Sequence, residues 1–71
     1  MTLFDCSVAS SGKITRIDGS AETHRRLVDL GLLGASYRVR ARNRHSVLVD
    51  FGATSCVIQS DVAANIKVLE R

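Results

Sequence analysis

Ser20-Ala21-Glu22-Thr23-His24-Arg25-Arg26-Leu27-Val28-Asp29-Leu30-Gly31-Leu32 reads as a helix with both ends marked. The Ser20 hydroxyl can accept from an orphan N–H of the first turn. Glu22 sits where a negative charge suits the positive end of the helix dipole. The spacing predicts a helix over Ala21 to Leu30, with Ala21, His24, Leu27, Val28 and Gly31 as its inward stripe and Leu30 at the border. Arg25 and Arg26 stand four and three residues before Asp29, pairs that contribute only a few tenths of a kcal/mol. Gly31 is the stop. A glycine just past a helix can take the left-handed conformation of a Schellman cap, in which the next residue packs on the third residue from the helix end. Those two positions are Leu32 and Leu27, both leucine.

On either side of this helix the pattern is β. Leu3 to Val8 is expected to be extended and to pair at a sheet edge, and Ser10-Ser11-Gly12 to turn. Lys13 to Ile17 alternates weakly, and its β-branched residues favour a strand that ends at Asp18-Gly19. After the helix, Ser36 to Arg42 puts Tyr37, Val39 and Ala41 on one face and Arg38, Arg40 and Arg42 on the other. Asn43-Arg44-His45 is a short hairpin connection. Ser46 to Phe51 offers Val47, Val49 and Phe51 on one face. Gly52-Ala53 turns the chain into Thr54 to Gln59, with Cys56 and Ile58 on one face. Ser60 to Ala64 reads as one helical turn capped by Ser60, and Ile66 to Leu69 as a last strand. This order predicts a mainly β domain: a small, strongly bent five-stranded barrel with one inserted helix and a helical turn before the last strand. A sheet this short is expected to hide its edges by closing on itself.

Length and composition narrow the function. Seventy-one residues allow one domain, residues 1–71, with a small core. Val, Ile, Leu and Phe make up about 30% of the chain, above the range of disordered sequences. No deep substrate pocket fits so small a body. Apolar runs such as Val47-Leu48-Val49 are too short to span a membrane, and no basic segment leads into an apolar one, so a cytoplasmic protein is expected. The formal net charge of +3 admits acidic proteins, anionic lipid or RNA as partners and selects none of them. Cys6 and Cys56 are expected to be reduced, with at least one packed as a small apolar side chain.

Catalytic signatures are missing: there is no nucleophile elbow, phosphate loop or dinucleotide turn. His24 on the helix stripe is expected to be a partly buried structural residue, and His45 to be solvated in its hairpin. A regulatory metal site would have to draw on Cys6, His24, His45 or Cys56, none of which forms a ligand pair at recognised spacing. Arg38, Arg40, Arg42 and Arg44 recur with period two, which predicts four guanidinium groups along one strand face. Such a stripe would suit RNA or another anion, or simply a solvated edge that repels other edges. The aromatic residues that RNA platforms interleave with such charges are scarce, being Phe4, Tyr37 and Phe51 alone. The surface expected to meet another protein is the end of the helix and its loop: Arg26, Leu30, Leu32 and Leu33, with Tyr37 beside them. An apolar residue between two glycines, as Leu33 is, can form part of an exposed patch.

Gly12-Lys13-Ile14-Thr15-Arg16-Ile17, Arg25-Arg26-Leu27-Val28-Asp29-Leu30-Gly31-Leu32 and Tyr37-Arg38-Val39 together resemble ferrous iron transport protein A, FeoA. Cys56 to Val68 is similar to that family's closing strand, short helical turn and final strand. The resemblance covers about residues 3 to 70 and implies a cytosolic SH3-like barrel. It also implies a non-enzymatic accessory of FeoB, the membrane Fe(II) transporter with a cytosolic GTPase-like domain; no cofactor is expected. The same barrel closes the chain of iron-dependent repressors. The chain departs from the family pattern in having no proline before Gly34 and only Asn43-Arg44-His45 in place of a longer hairpin.

Overall fold

Gly12 decides how the first strand packs. It is buried, and a Cβ there would overlap the carbonyl oxygen of Leu69. Only glycine lets the backbones approach so closely. The computed structural model describes all 71 residues. Five strands follow one another as β1 (Ser11–Ile17), β2 (Ser36–Arg42), β3 (Ser46–Phe51), β4 (Thr54–Gln59) and β5 (Ile66–Glu70). Helix α1 (Ala21–Asp29) joins β1 to β2, and the single turn α2 (Ser60–Ala63) joins β4 to β5. All neighbouring strands are antiparallel, in the order β4-β3-β2-β1-β5. The mainly β class, five strands, inserted helix and late helical turn are as the sequence predicts.

The closure is not a continuous ladder. No strand pairs β4 with β5. Helix α2 spans that gap, and a short 3-10 turn over Leu3–Asp5 packs against both α2 and β5. The expectation of an extended Leu3 to Val8 is therefore corrected. The Asp5 carboxylate accepts from the backbone N–H and the hydroxyl of Thr2, both at 3.0 Å, and winds the segment into a turn. Only Thr2 bridges the sheet, opposite Lys67. Leu3 and Cys6, freed from a strand's alternation, both point into the core.

Two bulges set which residues face inward. The register of β1 on β5 shifts between Ile14 and Arg16. That extra residue puts Ile14 and Ile17 on the same buried face, which an unbroken strand would not allow. In β2 the register on β3 shifts between Val39 and Ala41, with Arg40 as the extra residue. Val39 lies opposite Val49, but beyond the bulge Arg42 lies opposite the buried Val47. The core gathers fourteen side chains from every element, with Leu3, Val47, Val49, Ala63 and Ile66 fully enclosed. At about 25 cal/mol per Å² such burial is the main term holding so small a domain together.

Helix α1 forms as its sequence dictates but packs on a narrower face. The Thr23 N–H donates to the Ser20 hydroxyl at 3.2 Å. At the other end Gly31, at φ +80°, donates to the Val28 carbonyl at 2.9 Å, and the Leu32 N–H reaches the Leu27 carbonyl at 3.2 Å. These are the two bonds of a Schellman cap. Leu27 is the only buried residue of the helix; Ala21, His24 and Val28 are exposed. The predicted stripe is corrected accordingly: Leu27 alone reaches the core, Thr23 is half-buried, and His24 is a solvated residue. At the α2 start, Gln59 rather than Ser60 holds the capping position, without a side-chain bond.

A nine-residue helix is not stable alone in water, so α1 depends on Leu27. Leu27→Ala should cost about 2–5 kcal/mol in that element. Amide exchange is the check: the α1 amides should lose protection while those of Val47 and Val49 keep theirs.

Candidate functional site

The loop after α1 is held by backbone bonds. The Gly34 N–H donates to the Ile14 carbonyl, and the Ile14 N–H donates to the Ala35 carbonyl, each at 2.9 Å. Ala35 in turn donates to Leu32 at 3.0 Å. Between two left-handed glycines, Gly31 and Gly34, the chain turns Leu32 inward and Leu33 outward. Leu33, on the loop that β1 fixes in place, is 48% exposed, and Leu30, at the helix C-cap, is 66% exposed. Arg26, one helical turn before Leu30, is exposed and makes no ion pair.

Of the five residues expected to meet a partner, Arg26, Leu30 and Leu33 lie on the surface. Leu32 and Tyr37 lie in the core at 5% and 2% exposure and present no side chain to solvent. Leu32 is consumed by the Schellman cap. Tyr37 points inward from β2, where its hydroxyl meets the Cys6 sulfur at 3.4 Å. Cys6 itself donates to the Thr2 carbonyl at 3.6 Å, so the phenol donates to sulfur. Burial, then this bond, pushes the Tyr37 phenol well above its ordinary value, because a phenolate there would have neither water nor a strong donor. Both cysteines are free thiols; Cys6 is buried and Cys56 half-buried.

The arginine stripe does not survive the β2 bulge. Arg38 and Arg40 stay on the outer face, where Arg38 lies opposite Asp50 and Arg40 pairs with it at 3.5 Å. Arg42 crosses to the other side. Its guanidinium donates to the Cys6 carbonyl at 2.6 Å and lies over the Phe4 ring, 5.0 Å from the centroid. Arg42 thus ties the N-terminal turn to β2, a structural role. The two histidines and two cysteines do not gather either: no three His, Cys, Asp or Glu side chains converge.

Leu30 separates two parts of one shallow apolar groove between α1 and β4. The part toward the β3–β4 turn, about 380 Å³, is lined by Leu32, Phe51 and Cys56. The part toward α2, about 470 Å³, is lined by Arg26, Leu27, Val57, Ile58 and Val62. No acidic residue lines either part. Sequence reasoning found the helix wall and missed the β4 wall. The available signal was the strand Thr54-Ser55-Cys56-Val57-Ile58-Gln59, which carries no charge at all.

The FeoA domain family matches residues 1–70. The chain belongs to the FeoA family. No curated relative matches it in sequence. In structure it is similar to a crystal structure of the iron uptake regulatory protein FeoA, with TM-score 0.89 and 20% identity over 100% of this chain and 97% of that one. A manganese-dependent transcriptional repressor matches at TM-score 0.89 and 23% identity, over 100% of this chain but 41% of the repressor. These two likenesses speak for the fold. FeoA from Stenotrophomonas maltophilia, solved with zinc, is 27% identical, with TM-score 0.82 over 96% of this chain and 88% of that one. It is described as an SH3 domain protein and a candidate activating factor for bacterial ferrous iron transport. This FeoA-family chain has the same SH3-like fold, and none of its helices is long and apolar enough to cross a membrane.

Tyr37 supplies a pH test, because it is the only tyrosine and there is no tryptophan. Its folded value lies above its ordinary value of 10.0. The stability it contributes is therefore fully present below about pH 10 and is lost as pH rises beyond that. Phenolate absorbance should be absent from the folded protein at pH 10 and should appear together with unfolding. In Tyr37→Phe that contribution to the alkaline decline in melting temperature should vanish.

Proposed function

We propose that this protein is a non-enzymatic cytosolic accessory of ferrous iron uptake. It binds the cytosolic GTPase-like domain of a FeoB-type membrane transporter and modulates it, using the corner formed by Arg26, Leu30 and Leu33. The reading is carried by one combination: membership of the FeoA family over residues 1–70, together with two exposed leucines, Leu30 at the helix C-cap and Leu33 on the loop anchored to β1. Leucines held in water in this way lose apolar burial that the core could have provided. A second protein restores it. Because the loop is already ordered, docking costs little conformational entropy. The unpaired Arg26 beside them adds a long-range attraction to an acidic surface, which speeds encounter more than it strengthens the final complex.

Calorimetric titration with the transporter's cytosolic domain tests this. Leu33→Asp should weaken binding by about 1–3 kcal/mol with no loss of melting temperature, since Leu33 supports nothing in the core. Unchanged affinity would remove Leu33 from the contact surface, and no binding by the wild type would overturn the reading as a whole.

A further inference from the structure

The two edges of the sheet are treated differently. The β5 edge is occupied: Thr2 bridges Lys67, the Val68 N–H donates to the Met1 carbonyl at 3.0 Å, and the strand carries charge at Lys67 and Glu70. The β4 edge has none of these protections. Its register on β3 runs without interruption from Phe51–Thr54 to Ser46–Gln59. The two-residue turn Gly52-Ala53 makes Phe51–Thr54 a hydrogen-bonded pair. Alternation then aims the backbone of Cys56 and Ile58 at β3 and that of Ser55 and Val57 away from it. The Ser60 N–H, two residues past Ile58, donates to the His45 carbonyl at 2.8 Å and so keeps this phase. No other backbone group takes up the outward N–H and C=O groups of Ser55 and Val57. Val57 is 69% exposed.

These free groups look onto the apolar groove beneath α1. We propose that the β4 edge is a strand-docking site: an extended segment of the partner protein adds to the sheet beside β4, antiparallel or parallel, as its sixth strand. Its main chain bonds to Ser55 and Val57. Its inward side chains lie on Leu30 and Leu27, and an acidic residue of the segment meets the unpaired Arg26. The occupant's chemistry follows from what the groove offers. It has two donors and two acceptors at strand spacing, apolar walls, one free cation and no acid. A helix has no main-chain groups to give such an edge, whereas a strand has them at every second residue. Uncharged edges of unbroken register are rare because they invite pairing. The proposal rests on the functional reading above, which supplies the partner but not the way it binds.

Val57→Pro isolates the backbone contribution. The Val57 N–H points outward, so proline removes no bond to β3 and is tolerated on an edge strand. It deletes a donor and puts a ring in the path of the incoming strand, and should weaken binding of the transporter's cytosolic domain by about tenfold or more. Val57→Ala, which keeps the backbone, should bind within about threefold of wild type. Amide exchange on the wild type needs no variant: the Ser55 and Val57 amides should slow by about tenfold or more when the domain is added, as edge amides do once paired. A wild type that binds while Val57→Pro binds equally well, or while those two amides exchange unchanged, overturns strand docking and leaves the transporter reading standing. A wild type that does not bind overturns both. Slowing that grows with the chain's own concentration, with no partner present, overturns the proposal in favour of a second copy seated on the same edge.

Discussion

Close backbone contact at Gly12 is the constraint on which the rest of the structure depends. There β1 lies opposite Tyr37 of β2 and Glu70 of β5, and the space a side chain would need is filled by the Leu69 carbonyl. Holding the last strand against the first at this distance brings Val68 and Ile66 over Ile14 and Ile17. It also sets the gap that α2 and the Leu3–Asp5 turn fill. A sheet of five short strands has too little area to enclose a core unless it bends sharply, and the bend is permitted by the absence of one methyl group. Once the bend exists, Leu3, Cys6 and Tyr37 have somewhere to go, and the N-terminal segment becomes part of the core rather than a loose tail.

The helix and its cap were legible because they depend on local chemistry. Ser20, Gly31, Leu27 and Leu32 act within a few residues of one another, and their spacing alone specifies the bonds they make. The strands were legible from β-branched residues and the turns at Gly19 and Gly52, but Ser11 and Gly12, expected to turn, instead begin β1. What could not be read was phase. A strand's alternation assigns faces correctly only until a bulge, and bulges arise from how strands meet across the sheet. The one at Arg40 turned an apparent row of four arginines into an outer pair, of which Arg40 meets Asp50, and an Arg42 on the other side that ties down the N-terminal turn. The one in β1 put Ile14 and Ile17 on one face, and it explains why that strand alternated so weakly. The candidate site was half visible for the same reason. Its helix wall is a local motif, whereas its β4 wall exists only because β4 falls at the end of the sheet order, which is a property of topology.

The residues proposed above to meet a partner lie in parts of the fold that the core does not need. Helix α1 touches the core through one leucine, and the loop after it is fixed by β1 instead. Arg26, Leu30 and Leu33 are therefore free of structural duty while standing on a rigid base. This separation suits an accessory protein. Such surface positions can change without changing the fold, which agrees with an SH3-like architecture kept among structures that share only 20 to 27% of their residues with this chain.

The sealed β5 side has a further meaning. Fibres and open-ended assemblies need two adhesive sides per subunit, so that each added unit offers a fresh place for the next. With Met1 and Thr2 lying across β5, this domain has one such side only. If the proposed docking along β4 holds, two copies of this chain could close a pair through that edge, but neither would have a second open edge for a third. An exposed β4 edge is less of a hazard when the opposite edge is already covered, because strand-by-strand growth needs both.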